Sequence, residues 1–194
     1  IDLSVGTVMT LSAVMTGVFI TFWGLPIPVG IVAGLATGML AGTVNGLFIS
    51  RMNIPPFIAT LGMMMIARGL SLIISGVKPI YFNDTPAFRQ LTMGSLIADV
   101  PNAVMILFLA ALIAAFILGK TILGRYTVAM GSNEEATRLS GVNVANWKTG
   151  VYALGGFFSG LAGVVIASRL NSAQPALGIG YELEAIAAVV IGGT

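Results

Sequence analysis

Glu134, Glu135 and Arg138 set three charges within five positions of the stretch GSNEEATRLSG, residues 131–141, in a 194-residue chain that has only seven acidic and nine basic side chains. Their spacing suits the building of a short helix. Ser132 followed three residues later by Glu135 is a capping-box pattern, with Ser132 the expected N-cap. Glu134 and Arg138 form an i, i+4 pair in the favourable order, and Gly141 fits the first position past the helix end. A helix of about two turns is expected, and helices shorter than about 12 residues are marginal in water, so this one needs something to dock against. Two readings stand. One is a solvated connector whose charges keep it out of lipid. The other is a docking element for a cytoplasmic partner, with Ala136 and Leu139 facing the partner's groove and Glu134, Glu135 and Arg138 setting register at its rim.

Other chemistry is excluded by composition. Histidine and cysteine are both absent, which removes disulfides, thiolate chemistry, zinc or haem ligation through those side chains, and imidazole proton relays. No residue is assigned a catalytic or metal-binding role and no cofactor is expected. Gly119-Lys120-Thr121 has the look of the end of a phosphate-binding loop, but the required glycine five positions earlier is Ala114, inside an apolar run. ATP is therefore not expected to bind this chain, and Lys120 reads as a positive anchor at a membrane face. The net charge of +2 is dispersed along the sequence, giving no nucleic-acid face.

The elements that must hold the polar island are apolar. The chain is 57% hydrophobic and 8% charged with a mean hydropathy of +0.99, whereas soluble domains spend about a quarter of their residues on charge. Five stretches approach the roughly 20 apolar residues that a membrane crossing requires: Leu3 to Trp23, Val29 to Ile49, Ile54 to Ile74, Ala103 to Leu118 and Gly150 to Ser168. A sixth begins near Leu183. The fold expected is an all-α polytopic transmembrane helical bundle, one transmembrane domain over residues 1–194, with residues 119–148 as a loop that contains the short helix. The start at Ile1 without methionine and the close in AIAAVVIGGT lead us to expect a piece of a longer polypeptide. Strict alternation of the spans gathers Arg51, Lys120, Arg125, Arg138 and Lys148 on one side, expected to be cytoplasmic, against Lys78, Arg89 and Arg169 on the other.

Gly30, Gly34, Gly38, Gly42 and Gly46 recur every fourth residue. Four residues advance a helix by about 400°, so they trace a slowly turning groove that admits a neighbouring backbone. Gly156, Gly160 and Gly163 invite the same reading, packing within one subunit. Candidate residues lining a path for a polar solute are Asn45, Thr60, Arg68, Ser71, Asn171, Ser172, Gln174, Tyr181 and Glu182; polar side chains inside spans also join helices together, and that role fits Asn45 and Ser71 equally. For Arg68, snorkelling or pairing with an outer carboxylate competes with a path role. The stretch NSAQPALGIGYELEAIAAVV, with a proline and two glycines before its apolar run, suits a broken or re-entrant element, which survives at membrane depth only where protein or a wet cavity supplies hydrogen-bond partners.

GRYTVAMGSNEEATRLSGVNV, LAGVVIASRLNSAQPALGIGYELEAIAAVVIGGT and the opening IDLSVG resemble the permease subunits of ribose-type ABC sugar importers. The resemblance runs over the whole chain and rests on long ordered strings; it implies that further spans belong at both ends. It also implies a multi-pass subunit of the bacterial inner membrane that works in the lipid bilayer. Its partners would be a second permease subunit, identical or homologous, separate ABC ATPase subunits and an external sugar-binding protein. The island would be the coupling helix, with Glu135, Ala136 and Gly141 matching the family's Glu-Ala pattern and downstream glycine, and Thr137 departing from the double-alanine version. The chain would carry a monosaccharide without being an enzyme. A rival from another class is an ion-coupled secondary transporter or channel, against which Arg68 is the one well-embedded charge and no acidic residue sits securely at mid-span.

Overall fold

A computed structural model of the chain describes residues 2–97 and 99–192; Ile1 of the opening motif and residues 193–194 of the last stretch lie outside them. Five helical segments are long and apolar enough to cross a membrane. They are α1 (Val5–Gly17) continued by a π-helical turn (Val18–Phe22), α2 (Ile27–Arg51), α3 (Pro56–Ser75), α5 (Asn102–Lys120) and α8 (Val144–Leu170). Pro56 occupies the first turn of α3 and Pro101 precedes α5, positions where a missing amide hydrogen costs nothing. Gly76, in left-handed backbone at φ 63°, ends α3 as glycine does without steric penalty.

The bundle is organised around α1, whose window is 72% buried. Its core-facing side is rich in hydroxyls, and Thr7, Thr10 and Thr16 donate to the carbonyls of Ser4, Gly6 and Ser12 within the same turn of chain, while the buried Ser12 Oγ has no partner among the described residues. The five spaced glycines of α2 are all buried and divide between two neighbours. Gly30 and Gly34 lie against Ile20 and Thr16 of the α1 segment, while Gly38, Gly42 and Gly46 lie against Gly156, Tyr152 and Thr149 of α8. From the other side Gly156 meets Gly38 and Gly42, Gly160 meets Gly34 and Leu35, and Gly163 meets Met9 and Ala13 of α1. Below the glycines, Ser50 and Thr149 share a hydrogen bond of 2.9 Å and Arg51 donates to Asn146 Oδ1 at 2.9 Å. In lipid, such backbone approach is a main source of helix association, since apolar burial offers nothing over acyl contact. Helix α5 stands apart: none of its residues is buried, and it packs chiefly on α4 (Pro86–Met93) and α6 (Ile122–Ser132).

Two features depart from the expectations. Residues 76–101 form a small cap rather than a plain polar loop: β1 (Ile80–Tyr81) pairs antiparallel with β2 (Ser172–Ala173), Ile80 opposite Ala173 and Tyr81 opposite Ser172, and α4 (Pro86–Met93) follows. Phe82 and Phe88, both fully buried with ring centroids 4.4 Å apart, anchor this cap on Val14, Val18, Val164 and Ala167; each such ring contributes roughly 1.5–3 kcal/mol by leaving water. Ser168 Oγ fastens it further by donating to the Phe88 carbonyl at 2.6 Å. Residues 119–148 hold more helix than the short one expected there: α6 (Ile122–Ser132) precedes that short helix, α7 (Glu134–Leu139), and the first turn of α8 follows. The reason is local capping, with Thr121 Oγ1 accepting from Gly124 N and Asn143 Oδ1 from Asn146 N, which converts polar stretches into helix starts.

The connection from α8 to α9 (Tyr181–Ile191) follows the expectation of a broken or re-entrant element. Ala173 packs beside Gly17 near one end of α1, while Gly178 touches Gly6 near the other. Eleven residues of helix correspond to about 16 Å. The chain therefore runs back alongside α1 through about half the thickness of a hydrocarbon core before α9 begins.

Candidate functional site

At the end of the bundle that carries Arg51 and Asn146, α7 is laid across the chain leading into α8. Its N-cap is Asn133 and not Ser132: Asn133 adopts extended backbone and its Oδ1 accepts from Ala136 N–H at 2.9 Å, whereas Ser132 is the last residue of α6. With the cap one residue later, the third helical position falls on Ala136, which has no side chain to reach back, so the capping box does not form. Asparagine is at least as good a cap as serine, and the continuing helical turn of α6 decides between them. The helix has six residues, short of two turns. Glu134 and Glu135 occupy its first turn and Arg138 its last, both favourable to the dipole. Gly141 lies past the end at φ 84° and donates to the Arg138 carbonyl at 3.0 Å.

The docking that a short helix needs comes partly from the chain itself. Lys148 Nζ donates to Glu134 Oε2 at 2.7 Å, and Arg138 Nη2 lies 3.5 Å from Glu134 Oε1. Thr137, 7% exposed, turns inward with its hydroxyl donating to the Asn133 carbonyl at 2.8 Å. Glu135, Ala136 and Leu139 face outward, Leu139 at 82% exposure. Beside the helix runs a polar groove of about 330 Å³ whose walls include Ser50, Asn53, Glu134, Arg138 and Lys148. Glu134 and Arg138 are thus partly engaged with their own chain, leaving Glu135 and the apolar pair Ala136 and Leu139 as the free surface. Lys148 and Thr137 are partners that sequence inspection misses, because a contact fourteen residues distant has no local signature.

Pairs involving exposed charges contribute at most about 1 kcal/mol. Lys148→Met is accordingly expected to leave the thermal midpoint nearly unchanged while accelerating trypsin cleavage after Arg138, measured in the detergent-solubilised protein.

The residues singled out for a solute path do not converge on one surface. Thr60 and Ser71 are fully buried and donate to the carbonyls of Pro56 and Ala67 in their own helix at 2.9 and 2.7 Å. Arg68 is exposed on α3 and makes no ion pair among the described residues. Asn171 ends α8 at φ 52° and accepts from Phe82 N–H at 3.2 Å, and Ser172 belongs to β2; these two, with exposed Gln174, lie at the capped end. Tyr181 and Glu182 open α9, Glu182 accepting from Gly180 N–H at 3.1 Å. Asn45 alone reaches deep between helices, donating from Nδ2 to Ser4 Oγ at 3.0 Å.

Alternating apolar spans, glycine-mediated helix contacts, a chain that runs back alongside α1 and a surface-displayed helix between two spans define a polytopic helical membrane protein. The family model described as branched-chain amino acid transport system / permease component matches residues 1–194, and the chain belongs to that family. It is 40% identical over 197 residues to the ribose import permease protein RbsC of Haemophilus influenzae, and 41% identical over 195 residues to RbsC of Bacillus subtilis. With the L-arabinose transport system permease protein AraH of Escherichia coli it shares 40% identity over 196 residues. These alignments cover 99–100% of this chain but 58–60% of the relatives. The chain thus spans about three-fifths of the length of the curated relatives it matches. No solved structure matches it.

Proposed function

We propose that the chain forms the translocation pathway of an ATP-binding cassette importer for a ribose-like monosaccharide, in a bacterial inner membrane, and that separate ATPase subunits drive it through residues 132–141. The observation that carries this reading is the likeness, over nearly all of this chain, to permeases named for ribose import and L-arabinose transport. The outward display of Glu135, Ala136 and Leu139 on α7 supports the choice of contact surface. Two permease subunits, identical or homologous, and an external sugar-binding protein complete the assembly. Closure of the ATPases on nucleotide moves α7, and α8 receives the motion through Lys148 and the 140–143 turn. A partner of this kind shifts the outward and inward arrangements only as far as it prefers one over the other. ATP hydrolysis takes place on the partners.

The test is purification of the permease from its native membrane. A P-loop ATPase is expected to copurify, and reconstituted vesicles are expected to take up ribose with ATP when a proton or sodium ionophore is present. Uptake that an ionophore abolishes, with no ATPase bound, would replace this reading with an ion-coupled carrier.

A further inference from the structure

We infer that the amino ends of α1 and α9, brought together at the contact of Gly6 with Gly178, form a binding site for the hydroxyl groups of a neutral polyhydroxylated solute, with Asn45, Asp2 and Glu182 as acceptors; the inference rests on the import reading for the solute's class.

α1 starts inside the bundle and α9 starts against it, where Gly6 and Gly178 meet, and each start is already supplied with a carboxylate. Asp2 Oδ1 accepts from Ser4 N–H at 2.8 Å, and Glu182 accepts from Gly180 N–H at 3.1 and 3.2 Å. The positive ends of both dipoles are thereby satisfied, so an anionic ligand has no place there. Neither carboxylate pairs with a cation among the described residues, since both ion pairs found there belong to Glu134.

The independent observation is Asn45. It is 0% exposed, its Nδ2 donates to Ser4 Oγ, and its Oδ1 has no partner. Turning the amide over does not rescue it. Ser4 Oγ gives its single proton to Asp2 Oδ1 at 2.7 Å, so the hydroxyl has only lone pairs to offer Asn45, and the amide must present its NH₂ group there. A buried, unmatched acceptor beside a helix start calls for a donor. A site made of one amide oxygen and two carboxylates is all acceptor. Sugar hydroxyls supply several donors without adding charge.

The site is shut by a slender seam. A side chain on Gly6 would strike the Gly178 carbonyl and one on Gly178 would strike the Gly6 carbonyl, so no side chains interlock there. The polar tie across it is Gly178 N–H donating to Thr10 Oγ1 at 2.9 Å. Parting the seam exposes both helix starts together.

The experiment uses the complete transporter, reconstituted with its ATPase and sugar-loaded receptor, and D-ribose as the probe. Asn45→Ala and Glu182→Gln are each expected to lower initial uptake about tenfold, the worth of one hydrogen bond, while receptor-stimulated ATP hydrolysis stays within about twofold. Uptake unchanged in both variants overturns the site. A second measurement is independent of the ATPase: Ser4→Cys in otherwise unmodified protein is labelled with a small thiol reagent, and D-ribose is expected to slow the labelling. Slowing without ATP-driven uptake would keep the site and refute the import reading. Labelling that ribose leaves unaffected, or that sodium chloride slows in its place, overturns the site even if the alanine variant fails to fold.

Discussion

Gly42→Leu is expected to yield no folded protein, whereas Gly62→Ala is expected to be neutral or mildly stabilising. The two glycines sit in comparable apolar helices, so composition does not separate them. A side chain at Gly42 would collide with the carbonyl of Tyr152 and reach the Cα of Gly156, while one at Gly62 meets nothing within 4 Å. Backbone cannot step aside as a flexible side chain can. Even Gly42→Ala is expected to cost about 1–3 kcal/mol as overpacking, and the three added carbons of leucine would drive α2 and α8 apart along their whole seam. At Gly62 a methyl group adds helix propensity worth roughly 0.5–1 kcal/mol with no steric opposition. Thermal midpoints and size-exclusion profiles in detergent would check both; a monodisperse Gly42→Leu protein with an ordinary midpoint would mean that the α2–α8 contact is not what holds the bundle.

The second large effect concerns the island. Glu135→Trp and Gly141→Val are expected to reduce ATP-dependent sugar uptake by about tenfold or more, with membrane insertion and basal ATP hydrolysis retained. Glu135 faces outward, so a bulky ring there disturbs whatever docks and not the bundle. Gly141, at φ 84°, lies in a region where a β-branched residue costs of order 1–3 kcal/mol, and the strain would re-aim the turn that carries α7 into α8. A tenfold change corresponds to about 1.4 kcal/mol of lost coupling, a small demand on either substitution. Uptake and hydrolysis measured together in vesicles decide the matter, and ordinary coupled uptake in both variants would strip the island of its role as transmitter.

Sequence periodicity and length found the spans because the requirement for about 20 apolar residues is severe. The stretch Ile54 to Ile74 differs from α3, Pro56–Ser75, by two residues at one edge and one at the other. What escaped notice depends on partners distant in the chain. The two-residue strands are stabilised by pairing Ile80 with Ala173, and nothing near Ile80 announces it. The helical nature of residues 122–132 is hidden because this segment, ILGRYTVAMGS, is too short to span and lies beside the charged island, although Thr121 stands ready as a cap. The capping-box motif points to Ser132 because it ignores whether the preceding residues are themselves helical. Asn45 drew attention only as a polar residue in an apolar span; its meaning depends on Ser4, forty-one positions away, and on Asp2 beyond it.

Helix α5 has the highest hydropathy of the five spans, 2.5 against 1.8 for α2, yet none of its residues is buried, while α2 buries its whole row of glycines. Lipid distinguishes poorly between leucine, isoleucine and phenylalanine; a facing backbone distinguishes between glycine and everything else. The letters of α5 therefore spell oiliness in no required order. An anagram of that helix would insert and span as well as the original, and an anagram of α2 would not.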